Sequence, residues 1–216
     1  MIRPVAPILA LWYFLPAMGL ILIASTAVFV VLVRRWTTLR DQTQLNLWAR
    51  ESDYQPLRPP AERPMMLIPP LLRQRIQIAT AFRRQQTWLM RLNPTDSSPS
   101  PRHLLLRQLP MNWPPTALRP PVKESGLIDP LSMRHFPALS TPNRFGVYAT
   151  TAAAARALAT SPIRGLLPPD LGFLLYEGTL LLDFSARPFD PIELDRLTAL
   201  VDQLTQHLPI IQSTNA

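Results

Sequence analysis

Few residues in this chain suit catalysis, and their spacing gives them little to work with. Cysteine is absent, so no disulfide, thiolate metal site or cysteine nucleophile can form. The three histidines, His103, His135 and His207, lie too far apart for a metal-ligand spacing. His207 falls in the last turn of a helical pattern, where a cation suits the helix dipole. The carboxylates come in loose groups: Glu193 with Asp195, Asp183 and Asp190 flanking Arg187, and Glu177 at a hairpin tip. Capping of free N–H groups and solvation account for all of them without acid–base work. The 6 glycines are scattered, so no phosphate-cradling loop occurs, and neither G-x-S-x-G nor H-E-x-x-H is present. The residues therefore describe a non-catalytic protein with no cofactor and no metal.

What does stand out is arginine. The net charge is +8, and it is unevenly placed. Between Arg34 and His103 there are 12 Arg against 5 acidic residues, whereas from Leu104 to Ala216 9 basic residues balance 9 acidic ones. The basic stripe comprises Arg34, Arg35, Arg40 and Arg50, then Arg73, Arg75, Arg83, Arg84 and Arg91. Arg34, Arg35 and Arg40 closely follow a long apolar run. There, each cation can gain about 1 kcal/mol from anionic lipid, or Arg34 and Arg35 can serve only to set topology. The later arginines suit a protein interface or lipid better than nucleic acid, because no recognition motif accompanies them.

The apolar run itself, Ile8 to Val33, carries no charge. About 20 apolar residues cross a hydrocarbon core of about 30 Å, so this stretch is long enough to span with some tilt. Trp12 and Tyr13 near one end and Trp36 beyond the other match interfacial belts. A cleaved signal has an apolar core of only about 7–15 residues followed by small residues. Here the run is longer and ends on Arg34-Arg35, which favours an uncleaved anchor. The basic flank exceeds the single Arg3 on the other side, so the positive-inside rule puts the N-terminus outside and the C-terminal part in the cytoplasm.

Beyond the anchor, Trp36 to Ser52 lacks Pro and Gly and continues the helical pattern. Tyr54 to Pro70 holds six prolines and reads as an extended connector. Leu71 to Leu92 is mixed, with a short helix expected before a strand around Thr87–Leu92. Asn93 to Pro101 is a loop, His103 to Leu109 a strand, and Pro110 to Pro121 an irregular or edge segment. Arg144 to Ala149 is a further strand, and Thr150 or Thr151 caps an alanine-rich helix that Ser161-Pro162 ends. Gly172 to Phe184 reads as a hairpin turning at Glu177-Gly178. A final helix follows, with Asp190 as N-cap, Pro191 in its first turn and Glu193 completing a capping-box-like arrangement. Its Leu194, Leu197, Val201, Leu204 and Leu208 share one face, expected to bury against the hairpin.

These pieces resemble a domain of unknown function found in bacterial membrane-tethered proteins. The resemblance rests on TALRPP at Thr116–Pro121, RFGVYATTAAAARAL at Arg144–Leu158, LLYEGTLLLDF at Leu174–Phe184, and the closing Leu208-Pro209. It covers roughly Leu104 to Pro209 and implies an N-terminal span with a small C-terminal α+β domain, but no functional residue.

The expected fold is thus a single transmembrane α-helix plus a small α+β domain, an antiparallel sheet with its C-terminal hairpin packed on an amphipathic helix. Residues 1–35 form the anchor and 36–70 a juxtamembrane helix with its proline-rich connector. Residues 71–209 form a cytoplasmic α+β domain, and 210–216 a tail. The expected function is that of an accessory or scaffold subunit of an inner-membrane complex, meeting other subunits and anionic lipid. Proline-rich segments bury little surface of their own and order best against a partner. The competing reading is a membrane-tethered sensing or ligand-binding module, which calls for an apolar pocket between hairpin and helices.

Overall fold

The computed structural model describes residues 6–57, 66–70, 77–93, 100–120, 132–139 and 145–208. The chain divides into two compact units, Met1–Asn46 and Leu47–Ala216. The first is built on helix α1, Ala6–Glu51, whose last turns already belong to the second. Among the described residues, α1 is the helix long and apolar enough to cross a membrane, with a mean hydropathy of 1.9 over its most apolar stretch. Such length and composition are shared by membrane anchors and signal sequences. Leu20, Ile21, Leu22, Ile23 and Phe29 are exposed, so this helix has no protein core of its own to bury them. Within its apolar stretch, Ser25 and Thr26 both donate to the Leu22 carbonyl, at 2.9 and 2.7 Å.

Among the described residues, the second unit is organised by a nine-stranded antiparallel sheet. Its strands are β1 (Gln55–Leu57), β2 (Ile78–Arg84), β3 (Thr87–Leu92), β4 (Arg102–Gln108), β5 (Thr116–Arg119), β6 (Arg134–His135), β7 (Gly146–Ala149), β8 (Gly172–Tyr176) and β9 (Thr179–Asp183). They run in the order β1-β2-β3-β4-β9-β8-β5-β7-β6. Among the described residues it also holds helices α2 (Ala152–Thr160), α3 (Ile163–Leu166) and α4 (Pro191–Gln206).

Register decides which residues share a face. Ala81, Met90, Leu104 and, through β9 and β8, Leu181, Leu174 and Ala117 lie together on one face. With Trp88, Leu92, Leu106 and Ile68 they form one buried cluster. Phe82, Leu89, Leu105, Leu182, Phe173, Leu118 and Val147 line the other face, and all are buried. The end of α1 and helix α4 meet this second face. Trp48 packs edge-on against Phe82 with ring centroids 6.2 Å apart, and Arg107 of β4 reaches Asp202 of α4 at 3.5 Å. Trp48 also donates its indole N–H to Asp195 at 2.8 Å, and the Tyr54 and Thr198 hydroxyls bond at 3.1 Å. Helix α2 packs on β7 and β5 through Ala154, Ala155 and Leu158.

Helix α1 ends in a Schellman cap. Asp53 takes φ 59°, and the Tyr54 N–H returns to the Ala49 carbonyl at 2.6 Å. The apolar contact that accompanies such caps is present as well: Trp48 and Tyr54 stack with ring centroids 5.1 Å apart.

Several expectations hold. The 87–92 strand, the hairpin turning at Glu177-Gly178, the Thr151-capped helix and the Asp190-capped helix are all present. Three differ. Residues 78–84, expected to follow or belong to a short helix, form strand β2, because Ala81 and Phe82 bury on opposite faces of the sheet. Residues 71–76 lie outside the described residues. The Pro110–Pro121 segment, expected to be irregular or at an edge, supplies β5, an interior strand between β8 and β7. Its four ladder residues are free of proline and the prolines bracket them, so every ladder N–H is available. The compact unit also begins at Leu47 rather than at residue 71, because Tyr54 and Ile68 are core residues and β1 pairs with β2. Most of the connector (58–65), the loop residues 94–99 and the tail 210–216 lie outside the described residues.

The β8–β9 turn supports a direct test. Glu177 and Gly178 both adopt positive φ, 42° and 74°. Glu177→Asn should raise stability by about 0.5–1 kcal/mol, since asparagine tolerates this conformation better. Gly178→Ala should cost more than about 1 kcal/mol, because a Cβ there meets Asn112 Oδ1 at 2.9 Å in addition to the backbone penalty. Urea denaturation of the chain in detergent reads both changes.

A basic cleft at the β2–β3 hairpin

The β2–β3 hairpin turns at Gln85-Gln86, with Gln85 at φ 51°. Beside this turn lies a cleft of about 620 Å³ lined by Asp53, Gln55, Arg83, Arg84, Gln85, Arg107 and Asp202. Five features therefore converge there: the α1 cap, β1, the hairpin, β4 and α4.

Each guanidinium is held in place. Arg83 lies 5.4 Å over the Trp88 ring and donates through Nε to the Gln85 carbonyl at 3.0 Å. Arg84 lies 4.9 Å over Tyr54 and donates to the Ser52 carbonyl at 3.4 Å. An aromatic face and a backbone carbonyl orient a guanidinium without cancelling its charge. Arg107 differs: it donates to Thr87 Oγ1 and pairs with Asp202, whose side chain is 47% exposed. A pair that open to water is worth little, and much of its value lies in aiming the arginine. Burial raises the pKa of Tyr54, so its phenol stays neutral beneath Arg84 at physiological pH.

A second polar cluster ties loops to α4. Arg187 binds Asp170 through Nε and Nη2 at 2.5 and 2.7 Å, and Glu193 through Nη1 at 2.6 Å. Those bonds raise the Arg187 pKa, and the bond from Arg187 holds the Asp170 carboxyl below its usual range. Glu193 was expected to complete a capping box; instead its carboxylate goes to Arg187, while its N–H still donates to Asp190 at 2.9 Å. The Arg187 carbonyl accepts from His103 Nδ1 at 2.9 Å, and His103 sits between Phe184 and Phe189 with ring centroids 5.4 and 5.3 Å away. Burial lowers the His103 pKa. The cluster reads as a structural clamp joining β4, the α3–β8 loop and the start of α4.

The sequence-derived candidates fare unevenly. Arg35 and Arg40 are exposed on α1, with Arg40 5.8 Å over the Trp36 ring. Arg34 is also on α1, its side chain outside the described residues. Of the later arginines, Arg83 and Arg84 enter the cleft, Arg91 and Arg50 are exposed elsewhere, and Arg73 and Arg75 fall outside the described residues. Sequence reasoning missed Arg107, Asp53 and Asp202. One available signal was Arg107 interrupting the apolar run of HLLLRQL. The cleft is also polar, unlike the apolar pocket expected between hairpin and helices. Among the described residues no group of three His, Asp or Glu is placed to hold a metal ion.

Together these features define a class: an apolar N-terminal helix leading into an antiparallel-sheet domain with flanking helices. In a comparison with solved structures, the fold is similar to the mycobacterial trehalose monomycolate transport factor A, TtfA. The TM-score is 0.50 at 14% identity, covering 79% of this chain and 97% of that one. No protein-family model matches the chain, and no curated protein matches it. The resemblance read from TALRPP and RFGVYATTAAAARAL therefore finds no support among family models.

The His103 clamp makes stability depend on pH. Burial holds the folded-state pKa below 6.5, the ordinary value for histidine, so near and below that pH the folded chain binds fewer protons than the unfolded one. Its contribution is complete above pH 6.5 and is lost as pH falls through the folded value. As pH falls from 6.5 toward the folded value, urea midpoints should fall less steeply for His103→Gln than for the parent chain. Arg187→Met should cost about 2–3 kcal/mol, since it strands the largely buried Glu193 carboxylate, and Arg187→Lys should recover only part of this.

Proposed function

We propose that this chain is a non-catalytic, single-span protein of the inner membrane that acts as an accessory subunit of a transport complex. The observation that carries this reading is an unbroken helix, apolar and uncharged from Ile8 to Val33, leading into a domain with the fold of a transport factor. An anchor of this kind holds the domain at the bilayer, where its contacts with other subunits are made at high effective concentration. The N-terminus lies outside and the domain in the cytoplasm, in keeping with Arg34, Arg35 and Arg40 following the span against Arg3 before it. The same three arginines meet anionic lipid at the cytoplasmic face, each contributing about 1 kcal/mol. Nucleic acid is not a partner on this reading.

A second reading, a tethered ligand-binding module, draws on the basic cleft, which is shaped for a small ligand rather than for a flat protein surface.

Gentle detergent extraction of the tagged chain, followed by mass analysis, should recover membrane-transport proteins in fixed stoichiometry. Recovery as a lone monomer would overturn the subunit reading. In sealed vesicles with the periplasmic face outward, added protease should leave the domain intact; cleavage would reverse the topology. Replacing Arg34, Arg35 and Arg40 with glutamate should increase the cleaved fraction.

A further inference from the structure

We propose that the cleft at the β2–β3 hairpin binds a small hydroxylated phosphate ester, taking its phosphate on Arg84 and Arg107, which share one face of the sheet, with Arg83 bordering the cleft from the other face. This site belongs to the globular unit alone and does not depend on the accessory-subunit reading.

Three observations converge. First, two of the three guanidinium groups are oriented by aromatic faces and backbone carbonyls, contacts that leave their charge uncancelled. Each guanidinium has five N–H donors in a rigid fork suited to phosphate oxygens, and these contacts use few of them. Arg107 adds a third donor set, aimed by Thr87 and Asp202.

Second, the rest of the lining narrows the class. Asp53 and Asp202 are acceptors, and Gln55 and Gln85 offer both donors and acceptors. Carboxylates repel a bare anion but accept hydrogen bonds from hydroxyls. The complementary ligand therefore carries an anionic end for the arginines and a hydroxylated body for the acids and amides. A cleft of about 620 Å³ suits a sugar phosphate or a headgroup, within the usual range of about 300–1,000 Å³ for small-molecule sites.

Third, the border of the cleft is held by fixed turns: Asp53 at φ 59° is the left-handed residue of the α1 cap and Gln85 at φ 51° that of the β2–β3 turn, so both residues are anchored beside the cleft by backbone geometry.

One ligand chemistry has two sources here, a soluble sugar phosphate or a phosphoinositol headgroup. The test uses the full chain in detergent and in nanodiscs. Titration calorimetry with glucose 6-phosphate should show saturable binding, inorganic phosphate should bind more weakly, and glucose should not bind. Arg84→Gln with Arg107→Gln should weaken binding by about tenfold or more, the loss expected for charge-assisted hydrogen bonds. Asp53→Asn should strengthen inorganic phosphate while narrowing the preference for glucose 6-phosphate over it. In the lipid arm, nanodiscs of phosphatidylcholine with phosphatidylinositol replace the soluble probe. Protection of residues 52–55 and 83–87 from hydrogen exchange only in those nanodiscs assigns the headgroup as the source. The exchange measurement on the unaltered chain needs no variant, so it decides the matter even where a double substitution unfolds. Binding that survives the double substitution in a folded chain overturns the proposal. So does the absence of protection at 52–55 and 83–87 with every probe.

Discussion

The structure depends on one constraint: both faces of the sheet are apolar, so both must be covered. Leu104, Leu105 and Leu106 are consecutive on β4 and all fully buried, which an ordinary half-exposed antiparallel strand does not allow. Burying a leucine-sized side chain stabilises the fold by about 1.5–3 kcal/mol, and leaving one face open would forfeit many such contributions. Helix α4 and the end of α1 cover the face of Phe82, Leu105 and Leu182. The Met66–Pro70 segment contributes Ile68 to the face of Trp88, Met90 and Leu104. Segments that look like linkers in composition are thereby drawn into the core.

That covering also builds the polar features. Once the end of α1 lies over the sheet, its Schellman cap brings Asp53 and Tyr54 beside the β2–β3 hairpin, and Tyr54 becomes the platform for Arg84. Once α4 lies over β4, Asp202 meets Arg107 at one end of the helix and Glu193 meets Arg187 at the other. The two clusters differ in character. Around Arg187 the charges are matched by close bidentate contacts, which hold loops in place. Around the hairpin, Arg83 and Arg84 face aromatic rings and carbonyls, which leaves the cleft cationic and open to a ligand.

The helix N-terminal to the domain follows a different pattern. Its described apolar side chains from Leu20 to Val33 are exposed, whereas the domain's apolar residues bury on one another. One chain thus carries two apolar surfaces, one buried by its own packing and one left exposed on the helix.

The sequence by itself determined the features written in a local period or a local cap. The uncharged run Ile8–Val33, the Glu177-Gly178 turn and the Asp190-capped amphipathic helix each depend on neighbours within a few residues, so their chemistry is visible along the chain. Arg83 and Arg84 were also visible, as part of a basic stripe. Only the tertiary structure decided that β5 is an interior strand despite its flanking prolines, that residues 54–57 and 66–70 belong to the domain, and that Arg107, Asp53 and Asp202 join Arg83 and Arg84. The physical reason is that these outcomes are set by strand register and by which segment covers which face. Both bring together residues distant in the chain, and neither leaves a periodic trace near the residues concerned. The first residues asked to do chemistry, the histidines and carboxylates, proved to be clamps and caps. The arginines, aimed by aromatic rings, gave the molecule its candidate site.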